Sequence, residues 1–157
     1  MRRTPWWSSG VRFSCQPDCG ACCDQPGGVV FLSRHDIHRL AKRHGLSDEA
    51  FVARDCTTSQ NGRLVLNSRE EDGICIYLDG TKRCGVYADR PQQCAAFPWW
   101  SENLVNRRTW SKVKATCPGI DASEAFLIHG STILRHVNAD LEAGRGVRLP
   151  LPPYEAR

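Results

Sequence analysis

The chain has 157 residues, 41% of them apolar and 24% charged, with nine cysteines and a formal net charge of +4. That suffices for one domain with a modest core and argues against wholesale disorder. No apolar stretch approaches the ~20 residues of a membrane helix, so no membrane partner is expected. No run of five or more Lys/Arg occurs, so nucleic acid is not an expected partner either. Met1-Arg2-Arg3 starts basic, but no apolar run of about 7–15 residues follows, so it does not read as a secretory signal. The expected setting is the reducing cytoplasm, where closely spaced cysteines act as ligands rather than disulfides.

Residues 1–12 read as an extended arm, flexible or packed on the surface, with Trp6-Trp7 as a packing anchor. Four cysteines then fall within nine residues, Cys15, Cys19, Cys22 and Cys23, at spacing C-x3-C-x2-C-C. Thiolates crowded this closely repel one another, so a cation is their natural partner. Val29 to Leu32 is a short strand or buried linker. Ser33-x-x-Asp36 is a capping box that opens a helix, with Ile37, Leu40, Ala41 and His44 on one face and Gly45 as its stop. Ser47 caps a second helix that carries Phe51 and Val52 inward and fades near Cys56.

Residues 63–67 read as a strand, and Gly73 to Tyr87 as a β-hairpin about Asp79-Gly80. A two-residue turn there would set Cys75 opposite Cys84, with Cβ atoms ~5 Å apart; a four-residue loop would break that pairing. Asp89 is the expected cap of a short helix with Pro91 in its first turn and Cys94 just inside. Thr109 to Thr116 reads as a strand leading to Cys117-Pro118-Gly119. Asp121 or Ser123 is expected to open a long helix to about Ala143, with Phe126, Leu127, Ile133, Leu134, Val137 and Leu141 as its apolar stripe. Residues 149–154 read as an extended, polyproline-like tail.

Together these elements predict a small single α+β domain: a cysteine-cluster region over 13–119, a C-terminal packing helix over 120–144, and extended termini at 1–12 and 145–157. Cys75, Cys84, Cys94 and Cys117 each sit beside a turn or an element end, where ligands are usually presented. Cys56 lacks that setting and reads as a small buried thiol. The candidate metal ligands are therefore Cys15, Cys19, Cys22, Cys23, Cys75, Cys84, Cys94 and Cys117. Eight thiolates suit two tetrahedral zinc ions, a bridged polynuclear centre, or iron–sulfur clusters. Eight thiolates with two dications would also bring the formal charge from +4 to zero. His35 and His38 are minor candidates, Arg83 and Arg90 are expected donors to the sulfurs, and Glu70-Glu71-Asp72 reads as a solvated loop.

The knuckle, Leu32-Ser33-Arg34-His35-Asp36-Ile37, the run Cys84-Gly85-Val86-Tyr87-Ala88-Asp89-Arg90-Pro91-Gln92-Gln93-Cys94, and Phe97-Pro98 closely resemble the YkgJ-like cysteine-cluster family. The resemblance covers roughly residues 13–119. It implies a bacterial zinc- or iron-chelating domain. Some larger relatives are linked to lysine methylation of flagellin, which leaves a redox or methylation-associated iron–sulfur role as the alternative. Cys15-x3-Cys19-x2-Cys22 is also the radical SAM spacing, but the chain lacks the β/α alternation of the barrel that carries it.

Overall fold

In the computed structural model, which describes residues 3–15, 28–81 and 83–156, the first regular element is β1 (Val11–Arg12). The helix α1 (Arg34–Arg43) follows. Its capping box is closed: the Ser33 hydroxyl accepts the Asp36 N–H, and the Asp36 carboxylate accepts the Ser33 N–H, both at 3.0 Å. Ile37, Leu40 and Ala41 are buried, and Gly45 ends the helix at φ 68°. In α2 (Asp48–Asp55) the Ser47 hydroxyl accepts the Ala50 N–H, and Phe51 and Val52 face inward. The chain then runs into β2 (Cys56–Thr58), antiparallel to β3 (Leu64–Leu66) with Cys56 opposite Leu66. These elements enclose an aliphatic core of Leu32, Ile37, Leu40, Phe51 and Leu64, completed from afar by Val86 and Val147.

The second half is assembled from distant pieces. The short α3 (Gln92–Ala96) leads to α4 (Arg107–Lys114), capped by the Asn106 side chain, which accepts the Thr109 N–H. Then come β4 (Leu127–Ile128) and the longest helix, α5 (Gly130–Gly144), which packs on α3. Strand β4 pairs antiparallel with β1, Val11 opposite Ile128. Between them lies an aromatic core in which Trp99 stacks on Trp110 at 5.4 Å, and Trp6 leans on Trp110 while its indole donates to the Leu104 carbonyl. The result is a small α+β domain with, among the described residues, five α-helices, two small antiparallel sheets and a longer C-terminal helix. None of these helices is long and apolar enough to cross a membrane.

Four local expectations are overturned. The expected strand over 109–116 is α4, because the Asn106 cap and the i, i+3 spacing of Trp110 and Val113, about one turn apart, favour a helix whose apolar side reaches the aromatic core. The long helix starts at Gly130 rather than at Asp121 or Ser123. Asp121 is left-handed at φ 55°, and residues 127–128 are taken up by pairing with β1. A side chain at position 130 would place its Cβ 2.2 Å from the Ser8 carbonyl oxygen, so the arm and the helix start meet only over glycine. That anchoring turns Ile133, Asp140 and Ala143 inward, while Leu134, Leu141 and Phe126 of the expected stripe are exposed. Asp89 does not cap α3: it lies in a 3-10 turn, and the Gln92 N–H is accepted by Asp36 instead.

Both termini are packed. The arm ends in β1, and in the tail Tyr154 stacks on His38 at 3.7 Å while Pro152 accepts from Arg34.

Candidate metal centre

Cys15 and Cys117 flank one backbone pairing. Phe13 bridges Ile120, and the Ser14 N–H donates to the Gly119 carbonyl at 3.1 Å, one residue before Cys15 and two residues after Cys117, whose carbonyl accepts the Ile120 N–H in a turn. This approach requires glycine, because a Cβ on Gly119 would stand 2.3 Å from the Ser14 carbonyl oxygen. Cys117 is buried in the aromatic core, and Cys15 is exposed.

Cys75 and Cys84 lie on the aliphatic side, both packed against that core. They are not opposed. The bridge falls between Leu78 and Cys84, the Asp79 N–H donates to the Arg83 carbonyl, and Cys75 bridges Ser68. The loop is wider than two residues because the Asp79 carboxylate collects the Thr81 N–H, the Thr81 hydroxyl and the Arg83 N–H. Gly80 does not take the positive φ a type I′ turn requires. A tight turn still returns Leu78 N–H to the Cys75 carbonyl, which folds Cys75 back toward the Leu78–Cys84 bridge.

Cys94 sits in α3, in neither of the two core clusters. Its neighbour Gln93 accepts the Phe31 N–H at 2.9 Å and donates to Asp140 of α5 at 3.1 Å. Phe31 and Val30 are the chain just past the knuckle, and they also pair with β3: Phe31 bridges Val65, and Val30 accepts the Leu66 N–H. Two residues past Leu66, Ser68 bridges Cys75. The described chain thus stops at Cys15, next to the Ser14–Gly119 bond, and the part that follows residue 27 is held through Val30 and Phe31 to β3 and to Gln93. Cys19, Cys22 and Cys23 lie outside the described residues. Among the described residues, no three His, Cys, Asp or Glu side chains gather closely enough to hold an ion.

Cys56 is a free thiol of a different kind. Burial, with the charge of Asp55 beside it, pushes its pKa up to about 12, so it stays protonated at neutral pH and is a poor metal ligand. Asp55 also accepts the Tyr77 hydroxyl at 2.7 Å. Burial and that bond raise the Tyr77 pKa well above its ordinary value.

The minor candidates are otherwise engaged. His35 Nδ1 lies 2.9 Å from the Tyr154 hydroxyl and His38 Nδ1 lies 3.2 Å from Asp48. Burial works to raise the Asp48 pKa, but hydrogen bonds from Arg34 and His38 prevail and hold it below the usual carboxylate range. Arg90 covers the Tyr87 ring at 4.2 Å and donates to the Tyr87 carbonyl. Asp72 closes its own exposed turn by accepting from Ile74 and Arg69. Arg39 and Arg43 of α1, which donate to the carbonyls of residues 85, 89 and 90, were not singled out in the sequence, and neither was the second partner of Asp36 at Gln92. Their spacing shows only that the three share a helix face.

Cysteine thiols presented by short elements around a cysteine knuckle are the donor set of a chelating domain for a thiophilic metal. The family model CxxCxxCC, described as "Putative zinc- or iron-chelating domain", matches residues 14–118, about two thirds of the chain, and the chain belongs to that family. The knuckle here has three residues rather than two in its first gap. Membership supports metal binding in general. No solved structure matches the chain.

By chemistry the described thiols suit such a metal, and they are divided between the cores: Cys75 and Cys84 pack against the first and Cys117 lies in the second.

Proposed function

We propose that this is a cytoplasmic metal-binding protein whose zinc or iron–sulfur centre is held by Cys15, Cys19, Cys22 and Cys23 together with Cys75, Cys84, Cys94 and Cys117. The observation that carries the reading is where the described chain stops and resumes: Ser14 is bonded to Gly119, two residues after Cys117, and Phe31 is bonded to Gln93, the neighbour of Cys94. Residues 13–119 then form the metal-binding region, and α5, packed on α3, backs it. Bound zinc would supply closed tetrahedral cross-links; an iron–sulfur centre would add electron transfer.

Anaerobic purification with metal analysis tests the reading. Brown protein absorbing near ~400 nm identifies iron–sulfur, and colourless protein with about two zinc ions identifies the zinc form. Cys84→Ser, Cys94→Ser and Cys117→Ser should each lower metal content, while Cys56→Ser should leave it unchanged. Full metal content in the Cys75→Ser, Cys84→Ser, Cys94→Ser and Cys117→Ser proteins, with loss only in knuckle variants, would sink the distributed ligand set.

A further inference from the structure

One face of α1 holds the backbone between Cys84 and Cys94 at four points, residues 85, 89, 90 and 92. Asp36, Arg39 and Arg43 stand three and four residues apart, so their side chains line up along the helix. Arg43 donates to the Gly85 carbonyl at 3.1 Å, the residue after Cys84, and to the Asp89 carboxylate at 2.8 Å. Arg39 donates to the carbonyls of Asp89 at 3.3 Å and Arg90 at 2.8 Å. Asp36 accepts the Gln92 N–H at 3.1 Å, two residues before Cys94. The same carboxylate takes Arg39 at 2.9 Å and the Ser33 N–H at 3.0 Å, and it is fully buried. A buried carboxylate with three donors is costly to disturb, because removing one leaves charge or N–H groups unmatched.

We propose that Asp36, Arg39 and Arg43 are positioning residues of the metal centre, fixing the separation and orientation of Cys84 and Cys94. The inference rests on the ligand set proposed above. None of the three touches the metal. Each acts through backbone that a cysteine ligand follows or precedes, as outer hydrogen bonds orient ligands in other metal sites. The spacing of two sulfurs is thereby set by a helix outside the centre.

The experiment uses cobalt(II) as the probe on the full chain, reading the thiolate-to-cobalt charge-transfer bands and the affinity. Asp36→Asn and Arg39→Met should shift those bands and weaken cobalt binding about 10- to 100-fold. Ser33→Ala is the comparison, since it removes the helix cap and lowers the melting temperature but leaves the ladder in place; its cobalt spectrum should match the parent. If Asp36→Asn and Arg39→Met fold and keep the parent spectrum and affinity, while Cys84→Ser and Cys94→Ser change them, the positioning role is overturned. If Cys84→Ser and Cys94→Ser themselves leave the spectrum unchanged, the ligand assignment fails, and the ladder's role at the centre falls with it.

Discussion

The two halves of the molecule are built on different plans. The aliphatic half is almost continuous in the chain. Residues 32–66 supply α1, α2 and the β2–β3 pair, each opened by its own cap or turn. The aromatic half has one such cap, Asn106 on α4. Trp6 and Val11 come from one part of the chain and Trp99, Trp110, Ile120 and Ile133 from another, joined where β1 pairs with β4. The candidate ligands are divided too, Cys75 and Cys84 against the aliphatic core and Cys117 within the aromatic one. A half encoded locally can stand on its neighbours in sequence, whereas a half encoded by distant contacts needs something to hold its pieces together. With the ligand set proposed above, a metal would be a cross-link suited to that half.

Chelation should therefore produce the largest effect and an uneven one. Structural zinc contributes on the order of 10 kcal/mol in small metal-folded peptides. After chelation, the melting temperature should fall steeply and the near-ultraviolet signal of the tryptophans should disappear. Amide hydrogen exchange in α1 and α2 should keep its protection longest. An unchanged melting temperature would show that the metal is not part of the fold, and uniform loss of protection would show that the two halves are one cooperative unit.

A pair of glycines sharpens the contrast at smaller scale. Gly119→Ala sets a Cβ 2.3 Å from the Ser14 carbonyl oxygen and 3.0 Å from the Phe13 ring, a backbone clash that cannot be relieved by a rotamer. It should cost about 1–3 kcal/mol and weaken metal binding by driving Cys15 away from Cys117. Gly45→Ala meets no atom within 4 Å but must hold φ 68°. It should cost about 1–2 kcal/mol and leave the metal untouched. Denaturant midpoints together with metal content check both, and equal metal loss in the two proteins would erase the distinction.

The smallest expected effect is a pH dependence confined to the aliphatic half. Cys56 has a folded pKa of about 12 against an ordinary 9.0, and Tyr77 is raised above 10.0, with burial the leading cause in each. Both groups therefore favour the protonated folded state. Their contribution is complete below the unfolded values and is lost as pH rises, from about 9 toward 12 for Cys56. Unfolding midpoints between pH 8 and pH 11 should decline less in Cys56→Ala than in the parent. Parallel profiles would remove Cys56 as the cause.

How much of this was legible in the sequence follows the same division. Ser33-x-x-Asp36, Gly45 and Ser47 speak through neighbours three residues away, and each does what its spacing implies. The cysteine set and the family resemblance also stood in plain pattern. Asp121-x-x-Glu124 has the same spelling as a capping box, yet β1, more than a hundred residues upstream, claims Leu127 and Ile128 and delays the helix to Gly130. Asp79-Gly80 has the spelling of a two-residue turn, but the Asp79 carboxylate finds three donors in a wider loop and moves the register. Asp36 could be read as a local cap; its second duty at Gln92 could not, because that depends on where α3 lies.

The pairing of Val11 with Ile128 and of Phe13 with Ile120 has a consequence for the order of assembly. The strand before the knuckle precedes its partners by more than a hundred residues and cannot pair until they exist. Closing so long a loop is entropically slow compared with forming α1 and α2, which need only adjacent residues. The entropy of so long a loop predicts that residues 32–66 fold first and that β1 docks late. With the ligand set proposed here, metal acquired before that docking would lack Cys117, and productive loading would wait for it.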